Sequence, residues 1–257
     1  MIANTGLLYA LKPLALGFMI AFARIGGAVM LLPGIGEAEI PQMLRAGFAA
    51  VLTALLFPVL PLPRLAEPSP VLLVVLLAHE LGVGVWLGLM ARLFVLALPI
   101  AGQVISFQMG LSSVITPDQQ LGSQSTLLSS VFGIFATTLI LTSGLYALPL
   151  EALVASYHII PAGLGLSAGS MLEIAEHLTA QSFMLGIRLA MPFLIAGLLW
   201  QTGLAVISRL VPQIQIFLVA MPAQTMGGLM LLALLGGGLA EVWLHQAALG
   251  LTRLLTG

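Results

Sequence analysis

The chain contains no cysteine among its 257 residues. This absence excludes disulfide bonds, thiol catalysis and metal sites built on cysteine. Aromatic residues make up only 7% of the chain. Lysine and arginine number 8 and the net charge is −1. Because nucleic-acid binders need a dense basic surface, these values exclude an ordinary DNA- or RNA-binding protein.

Charged residues are also scarce, at 7% of the chain, whereas hydrophobic residues reach 60%. Soluble domains average about 25% charged and about 45–50% apolar residues. A soluble globule of this composition would expose a large, adhesive apolar surface. The composition therefore predicts an integral membrane protein, or a protein enclosed in an assembly of such proteins, and excludes a soluble enzyme.

Long uninterrupted apolar runs are the main feature that the chain does have. Continuous runs favour helices over a β-barrel, whose strands would alternate apolar and polar residues. A membrane span needs about 20 apolar residues. The sequence therefore predicts an all-α fold with about six spans. They are Leu14–Leu32, Met43–Leu60, Val71–Leu98, Leu127–Leu148, Phe183–Ile207 and Gln215–Leu235.

Helix-breaking residues separate these runs. Proline-rich or glycine-rich segments follow the first two, and Pro149 is expected to end the fourth. The linker from Glu151 to Gln181 is expected to contain a short helix of its own, since Ser170–Glu173 fits the S-x-x-E capping pattern. Basic residues are divided too evenly between the two sides to orient the chain.

The segment from Thr116 to Thr126 is polar, with Asp118 as its only charge and Leu121 as its only apolar residue. It follows Phe107-Gln108-Met109-Gly110. Such a segment in so apolar a chain either faces water as an ordinary surface loop or lines a wet cavity. Composition alone does not decide between these two interpretations.

Four charged residues lie inside predicted spans: Arg24, Glu80, Arg92 and Arg188. Each costs about 2.5–3.5 kcal/mol at the centre of an inserted helix, so we expect buried pairing for Arg24 and Glu80. Glu80 and Arg92 lie about 18 Å apart along one helix, so their partners must lie on other segments or on other subunits. Arg92 and Arg188 are equally compatible with pairing and with snorkelling to an interface.

Glycine spacing predicts close helix packing in the third span. Gly84 and Gly88 are one turn apart, and Gly82 completes a G-x-G-x-x-x-G pattern. Two catalytic patterns are discounted. His79-Glu80 lacks the second histidine of a zinc motif, and Gly165–Gly169 matches G-x-S-x-G without the strand and helix that motif needs. We expect no metal, no cofactor and no enzymatic activity.

Three groups of residues together carry a family resemblance. They are Arg24–Gly27 and Pro33–Gly36 with Pro41 and Arg45; Glu80–Gly84, Ala101–Gln103 and Phe107–Leu111; and Arg209–Phe217 with Met221 and Pro222. This combination resembles the FliR family of flagellar export proteins and its injectisome relatives of the SctT type. The resemblance covers nearly the whole chain.

The resemblance implies a non-catalytic subunit of a type III export gate. FliR-like proteins assemble with FliP-like and FliQ-like subunits into a pore for unfolded flagellar proteins across the inner membrane, joined by FlhB-like and FlhA-like proteins. It also implies one domain over 1–257, with a FliP-like N-terminal part, a FliQ-like C-terminal part and a boundary near 180. The kinked helical hairpins are then packed in the flagellar basal body, largely against protein rather than lipid.

The resemblance also assigns residue roles. The family's plug loop corresponds to Phe107–Gln124, where we expect sealing or gating by Phe107, Gln108, Met109, Gly110, Leu111, Pro117, Gln119 and Gln120. The bend between the last two spans is expected to contact neighbouring subunits through Arg209, Pro212, Gln213 and Phe217. Two alternatives are a virulence injectisome subunit and a polytopic small-molecule transporter or channel.

Overall fold

The computed structural model describes residues 2–37, 39–62, 68–111, 115–117, 124–163, 168–210 and 216–256. Within these ranges the protein is helical apart from one pair of short strands. The helices are α1 (Ile2–Val29), α2 (Gln42–Leu56), α3 (Pro70–Gln108), α4 (Leu127–Ser143), α5 (Ala147–Ile159), α6 (Ala168–Leu210) and α7 (Ile216–Thr256). The antiparallel strands are β1 (Ile115–Pro117) and β2 (Gln124–Thr126).

Among the described residues, four helical segments are long and apolar enough to cross a membrane: Leu11–Val29, Pro70–Gln108, Met171–Leu210 and Ala220–Thr252. The pair α4 and α5, bent by 73°, forms a fifth candidate. The all-α membrane fold is therefore confirmed. The strand pair was not predicted, because three-residue strands leave no detectable alternation in a sequence.

Two of the six predicted spans differ from the structure. The run Met43–Leu60 forms only the 15-residue α2, which at 1.5 Å per residue is about 22 Å long and too short for a bilayer core of about 30 Å. The fourth run breaks at Gly144, which adopts φ +78° between α4 and α5. Pro149 lies in the first turn of α5, where its missing N–H costs nothing, and so does not end the span.

The linker prediction was also wrong. Ser170 lies inside α6 rather than capping a separate short helix, and α6 continues to Leu210 without interruption. Helices α3, α6 and α7 contain 39, 43 and 41 residues. At 1.5 Å per residue each is about 60 Å long, roughly twice the thickness of a bilayer core. Each also contains one proline in its interior.

The chain divides into two compact units. Unit 1 comprises Met1–Arg92, Ile140–His177 and Gly250–Gly257, and unit 2 comprises Leu93–Leu139 and Leu178–Leu249.

Unit 1 is built on a close approach of α1 and α3. A side chain at Gly84 would collide with the Arg24 carbonyl, and one at Gly88 would lie 2.6 Å from the Ala28 carbonyl oxygen. Gly27 of α1 makes the reciprocal contact, since a side chain added there would lie 2.8 Å from the Leu81 carbonyl oxygen. The predicted small-residue face is therefore formed by Gly84 and Gly88. Gly82 takes no part, since a side chain there would meet no described atom within 4 Å.

Unit 2 is organised around the C-terminal half of α3. Ser182 of α6 donates a hydrogen bond to the Leu93 carbonyl, and the buried Trp243 of α7 donates to the Phe94 carbonyl at 3.2 Å. Ser129 of α4 donates to the Pro99 carbonyl at 2.9 Å. Side chains of three helices thus bond to the backbone of one, which fixes the position of each helix along α3.

A Gly84→Ala substitution tests the α1–α3 contact. We expect a loss of about 1–3 kcal/mol of stability, because an added methyl group must push α1 away. Gly82→Ala is the matched control, and it should be neutral or gain up to about 1 kcal/mol from helix propensity. Thermal unfolding of the purified chain in mild detergent measures both. Equal midpoints for the two variants would contradict the packing described here.

Candidate functional site

A buried ionic cluster in unit 1 joins α1 to α3. The Arg24 Nε atom donates to Glu80 Oε2 at 2.7 Å, and both side chains are fully buried. Arg24 Nη1 also donates to the Ile160 carbonyl oxygen at 2.9 Å and to Ser156 Oγ at 3.3 Å. The arginine of α1 therefore has one partner in α3, one in α5 and one just beyond α5.

Further contacts complete this cluster. The Gly163 N–H donates to Glu80 Oε1 at 3.0 Å, so both carboxylate oxygens are bonded. The Arg24 guanidinium carbon lies 4.2 Å from the centre of the Tyr157 ring, within the range of a cation–π contact. Tyr157 in turn donates from its hydroxyl to the Ala21 carbonyl at 3.4 Å. A buried ion pair with most of its polar atoms bonded is the arrangement in which such charges are tolerated.

A second ion pair in unit 1 stabilises the turn after α1. Arg92 Nη2 lies 3.2 Å from Glu37 Oε2, and Arg92 Nη1 donates to the Gly36 carbonyl at 3.3 Å. The Gly34 N–H donates to Glu37 Oε1 at 3.2 Å. Arg92 is thus paired rather than snorkelling. Arg188, by contrast, is exposed and makes no hydrogen bond or ion pair with the described residues.

The second candidate site lies in unit 2, where α3 ends at Gln108. We call Gln108, Met109, Gln224, Thr225 and Gly228 the loop base. Gln224 Nε2 donates to the Gln108 carbonyl at 2.6 Å, and Thr225 Oγ1 donates to the Met109 carbonyl at 3.0 Å. The side chain of Met109 is 1% exposed and lies against Gly228. Side chains of α7 thus satisfy carbonyls that the end of α3 leaves open.

The chain leaves the loop base at Gly110, whose φ of +73° allows a sharp turn. It returns at Thr126, whose N–H and hydroxyl both donate to Gln103 Oε1 at 3.1 Å. Strands β1 and β2 pair within this excursion, with Ile115 opposite Thr126 and Pro117 opposite Gln124. The excursion therefore begins just after the end of α3, and the chain returns to the C-terminal part of the same helix.

A cavity of about 270 Å³ lies beside the loop base, between α3, α6 and α7. Its lining is mostly apolar and includes Met109, Phe193, Gly197, Trp200, Gly227 and Leu231. The Oε1 atom of Gln108 is buried against Gly197 and has no hydrogen-bond partner among the described residues. An acceptor that stays unsatisfied when buried costs about 1–3 kcal/mol, and Gln108 is the loop-base side chain with such an acceptor among the described residues.

The remaining predicted site residues fall as follows. Phe107 is 57% exposed, and the Leu111 N–H donates to the Ser106 carbonyl at 2.9 Å. Pro117 lies in β1, Phe217 in the first turn of α7, and Arg209 is exposed in the last turn of α6. Gln119, Gln120, Pro212 and Gln213 lie outside the described residues.

The sequence analysis assigned no site role to several residues of both sites: Gln103, Ser156, Tyr157, Gln224 and Thr225. Each acts through a partner far away in the chain, as Thr225 does with Met109 and Ser156 with Arg24. No local pattern marks such residues. Gly228 belongs to a Gly-Gly pair that favours close helix packing, but this local pattern does not reveal that Met109 is its neighbour.

Comparisons with known proteins converge on one family. The family model described as "Bacterial export proteins, family 1" matches residues 15–249. Flagellar biosynthetic protein FliR of Caulobacter vibrioides is 34% identical over 227 residues, covering 87% of this chain and 90% of that protein. FliR of Bacillus subtilis is 27% identical over 208 residues, covering 80% of each. Yop proteins translocation protein T of Yersinia pestis is 27% identical over 221 residues, covering 83% of each.

An Arg24→Met substitution tests the ionic cluster. We expect a loss of about 3–5 kcal/mol of stability, because Glu80 is left as a buried charge without its counter-ion. The double variant Arg24→Met/Glu80→Met should recover most of this loss, since it removes both charges and retains apolar volume. Arg188→Met, at an exposed position, serves as the control and should change stability by less than about 0.5 kcal/mol. Thermal unfolding in mild detergent gives all three values. A double variant as unstable as Arg24→Met would show that the charges are not coupled.

Proposed function

We propose that this chain forms an export pore together with FliP-like and FliQ-like subunits, and that this complex conducts unfolded flagellar proteins across the bacterial inner membrane. The proposal starts from the family: as a member of family 1 of the bacterial export proteins, the chain is a multi-pass membrane component of a flagellar export apparatus. A flagellar role is favoured over a virulence role because the Caulobacter FliR is 34% identical and the Yersinia protein 27%.

Helix length supports an assembled rather than an isolated protein. Helices α3, α6 and α7 are each about twice as long as a bilayer core is thick. Large apolar side chains are exposed along them, such as Val74, Leu198 and Leu234. Apolar surface that extends beyond a bilayer must be covered by other protein. Neighbouring gate subunits, with lipid along part of the length, would supply that cover.

We extend the proposal to the division of the chain into a FliP-like part and a FliQ-like part near residue 180. Support comes from the point where α6 passes from unit 1 to unit 2, between His177 and Leu178. Beyond that point the described chain is the remainder of α6 and then α7. FlhB-like and FlhA-like export proteins are the further partners, and the unfolded polypeptide is the cargo.

The observation that carries the gating role is the attachment of the polar segment at both ends. Met109 and Thr126 are each held to fixed positions in unit 2, by Thr225 and Gln103. We therefore place the gate in the chain between these two attachment points, and its framework in the packed helices α3, α4 and α7. It contains one charge, Asp118, so it does not hold a passing polypeptide by strong ionic contacts.

In the proposed closed gate, Met109 provides a seal and the polar segment covers the pore. Opening breaks the hydrogen bonds from Gln224 and Thr225, each with a net value of about 0.5–1.5 kcal/mol. Met109 then leaves Gly228, and the adjacent cavity of about 270 Å³ offers space for its flexible side chain. The gate is thus closed by contacts weak enough for a driven polypeptide to displace.

Shortening the polar segment tests the gate. We expect that replacing residues 112–123 by a short Gly-Ser linker raises ion leakage through the assembled complex, because the cover is removed while the loop base remains. Leakage is measured as conductance of the reconstituted complex, or as salt sensitivity of cells that overproduce it. An intact complex with unchanged leakage would contradict the gating role.

Gly228→Leu is a second variant of the same test. A larger side chain would displace Met109, so leakage should rise without any deletion. Gly236→Leu on the same helix is the matched control, since a side chain there meets no described atom within 4 Å. If both variants leak equally, or neither does, Met109 is not the seal.

A further inference from the structure

One side of α7 is continuously exposed over five turns. Residues at spacings of three and four lie within about 80° of each other around a helix with 100° per residue. The residues that form this side of α7 are all exposed. The exposed fraction is 68% for Met230 and 71% for Leu234. We call it the α7 outer face; it comprises Gly227, Met230, Leu234, Gly237, Glu241 and His245.

Contacts on the opposite side of α7 fix the direction of this face. Thr225 and Gly228 contact Met109, and Trp243 bonds to the Phe94 carbonyl, all within unit 2. Rotating α7 to bury the outer face would break each of these contacts. Only 6% of the most apolar stretch of α7 is buried in the chain, against 56% for α3. The outer face therefore needs a partner from outside the chain.

Glu241 is the charged member of the outer face, and it favours a protein partner over lipid hydrocarbon at its level. Its carboxylate lies within the apolar segment Ala220–Thr252 and is exposed, with no hydrogen bond or ion pair to the described residues. Carboxylates within such segments face protein or water and pair with a cation, because hydrocarbon does not solvate them. A glutamate side chain is also too short to reach a distant interface, unlike lysine or arginine.

The glycines of the outer face point to a helix as the partner. Side chains added at Gly227 and Gly237 would meet no described atom within 4 Å, so this chain does not use them for packing. Gly84 and Gly88 of α3 show how glycines on a helix surface are used when another helix packs against them, since they leave room for the backbone of α1. A glycine on a helix surface leaves room for the backbone of a neighbouring helix, and Gly227 and Gly237 offer such room at two levels of the outer face, ten residues apart.

We propose that the α7 outer face binds an apolar helix of another export subunit, and that this helix carries a lysine or arginine that pairs with Glu241. The proposal rests on the membership of an export complex proposed above, and it adds the contact face and the charge of the partner. Gly227 and Gly237 provide the close approach, Met230 and Leu234 the apolar contact, and Glu241 the register.

Site-specific photocrosslinking tests which molecule covers the face. The natural chain has no cysteine, so Leu234→Cys introduces a single thiol for a benzophenone–maleimide probe in native membranes. We expect crosslinks to an apolar helix of a co-purifying subunit that has a lysine or arginine within one turn of the level of Glu241. Adducts to lipid only, or to a helix without such a cation, would overturn the proposal.

Charge reversal tests the ion pair in the full complex. Glu241→Lys should lower recovery of the crosslinked subunit at least tenfold, and converting that subunit's basic residue to glutamate should restore it. Gln246→Lys is the matched control, because Gln246 is exposed on the same helix but points about 140° away. Glu241→Gln and the unfolding midpoint of the free chain separate a lost contact from a misfolded protein.

The outcomes distinguish the two proposals. A wild-type chain that purifies without export subunits would refute the proposed function, and this inference with it. A wild-type complex whose composition Glu241→Lys leaves unchanged would refute this inference alone.

Discussion

The ion pair between Arg24 and Glu80 is the constraint on which unit 1 depends. Two opposite charges that are fully buried must lie within hydrogen-bond distance, or the fold loses several kcal/mol. Meeting this requirement places α1 against α3, which Gly84 and Gly88 permit by leaving room for the α1 backbone. The same requirement brings the end of α5 and the turn at Gly163 to the pair, because the remaining polar atoms also need partners.

Unit 2 follows a different principle, in which side chains of surrounding helices bond to the backbone carbonyls of α3. Ser129, Ser182, Gln224 and Trp243 each donate one such bond. Uncharged bonds of this kind hold helices in place without the desolvation cost of a buried ion. They are also individually weak, which suits a region where the proposed gate has to open and close. The ionic cluster and the loop base thus hold helices together by different kinds of contact.

Much of the helical architecture could be predicted because apolar runs and breakers are local features of a sequence. The failures have physical causes. Met43–Leu60 is apolar enough to span but its helix ends at Leu56, and Gly144 rather than Pro149 breaks the fourth run. The glycine pattern of α3 was informative for Gly84 and Gly88 but not for Gly82, since spacing does not reveal which way a neighbouring helix lies. Partners such as Glu37 for Arg92, or Gln103 for Thr126, depend on folding of distant segments and have no local signal.

Co-purification from native membranes tests the central claim, that this chain is one subunit of an export pore. A C-terminal tag, extraction in mild detergent and mass spectrometry identify every companion present in stoichiometric amount. The account predicts one discrete complex that contains FliP-like and FliQ-like proteins. A homogeneous oligomer of this chain alone would contradict it and favour a small-molecule transporter or channel.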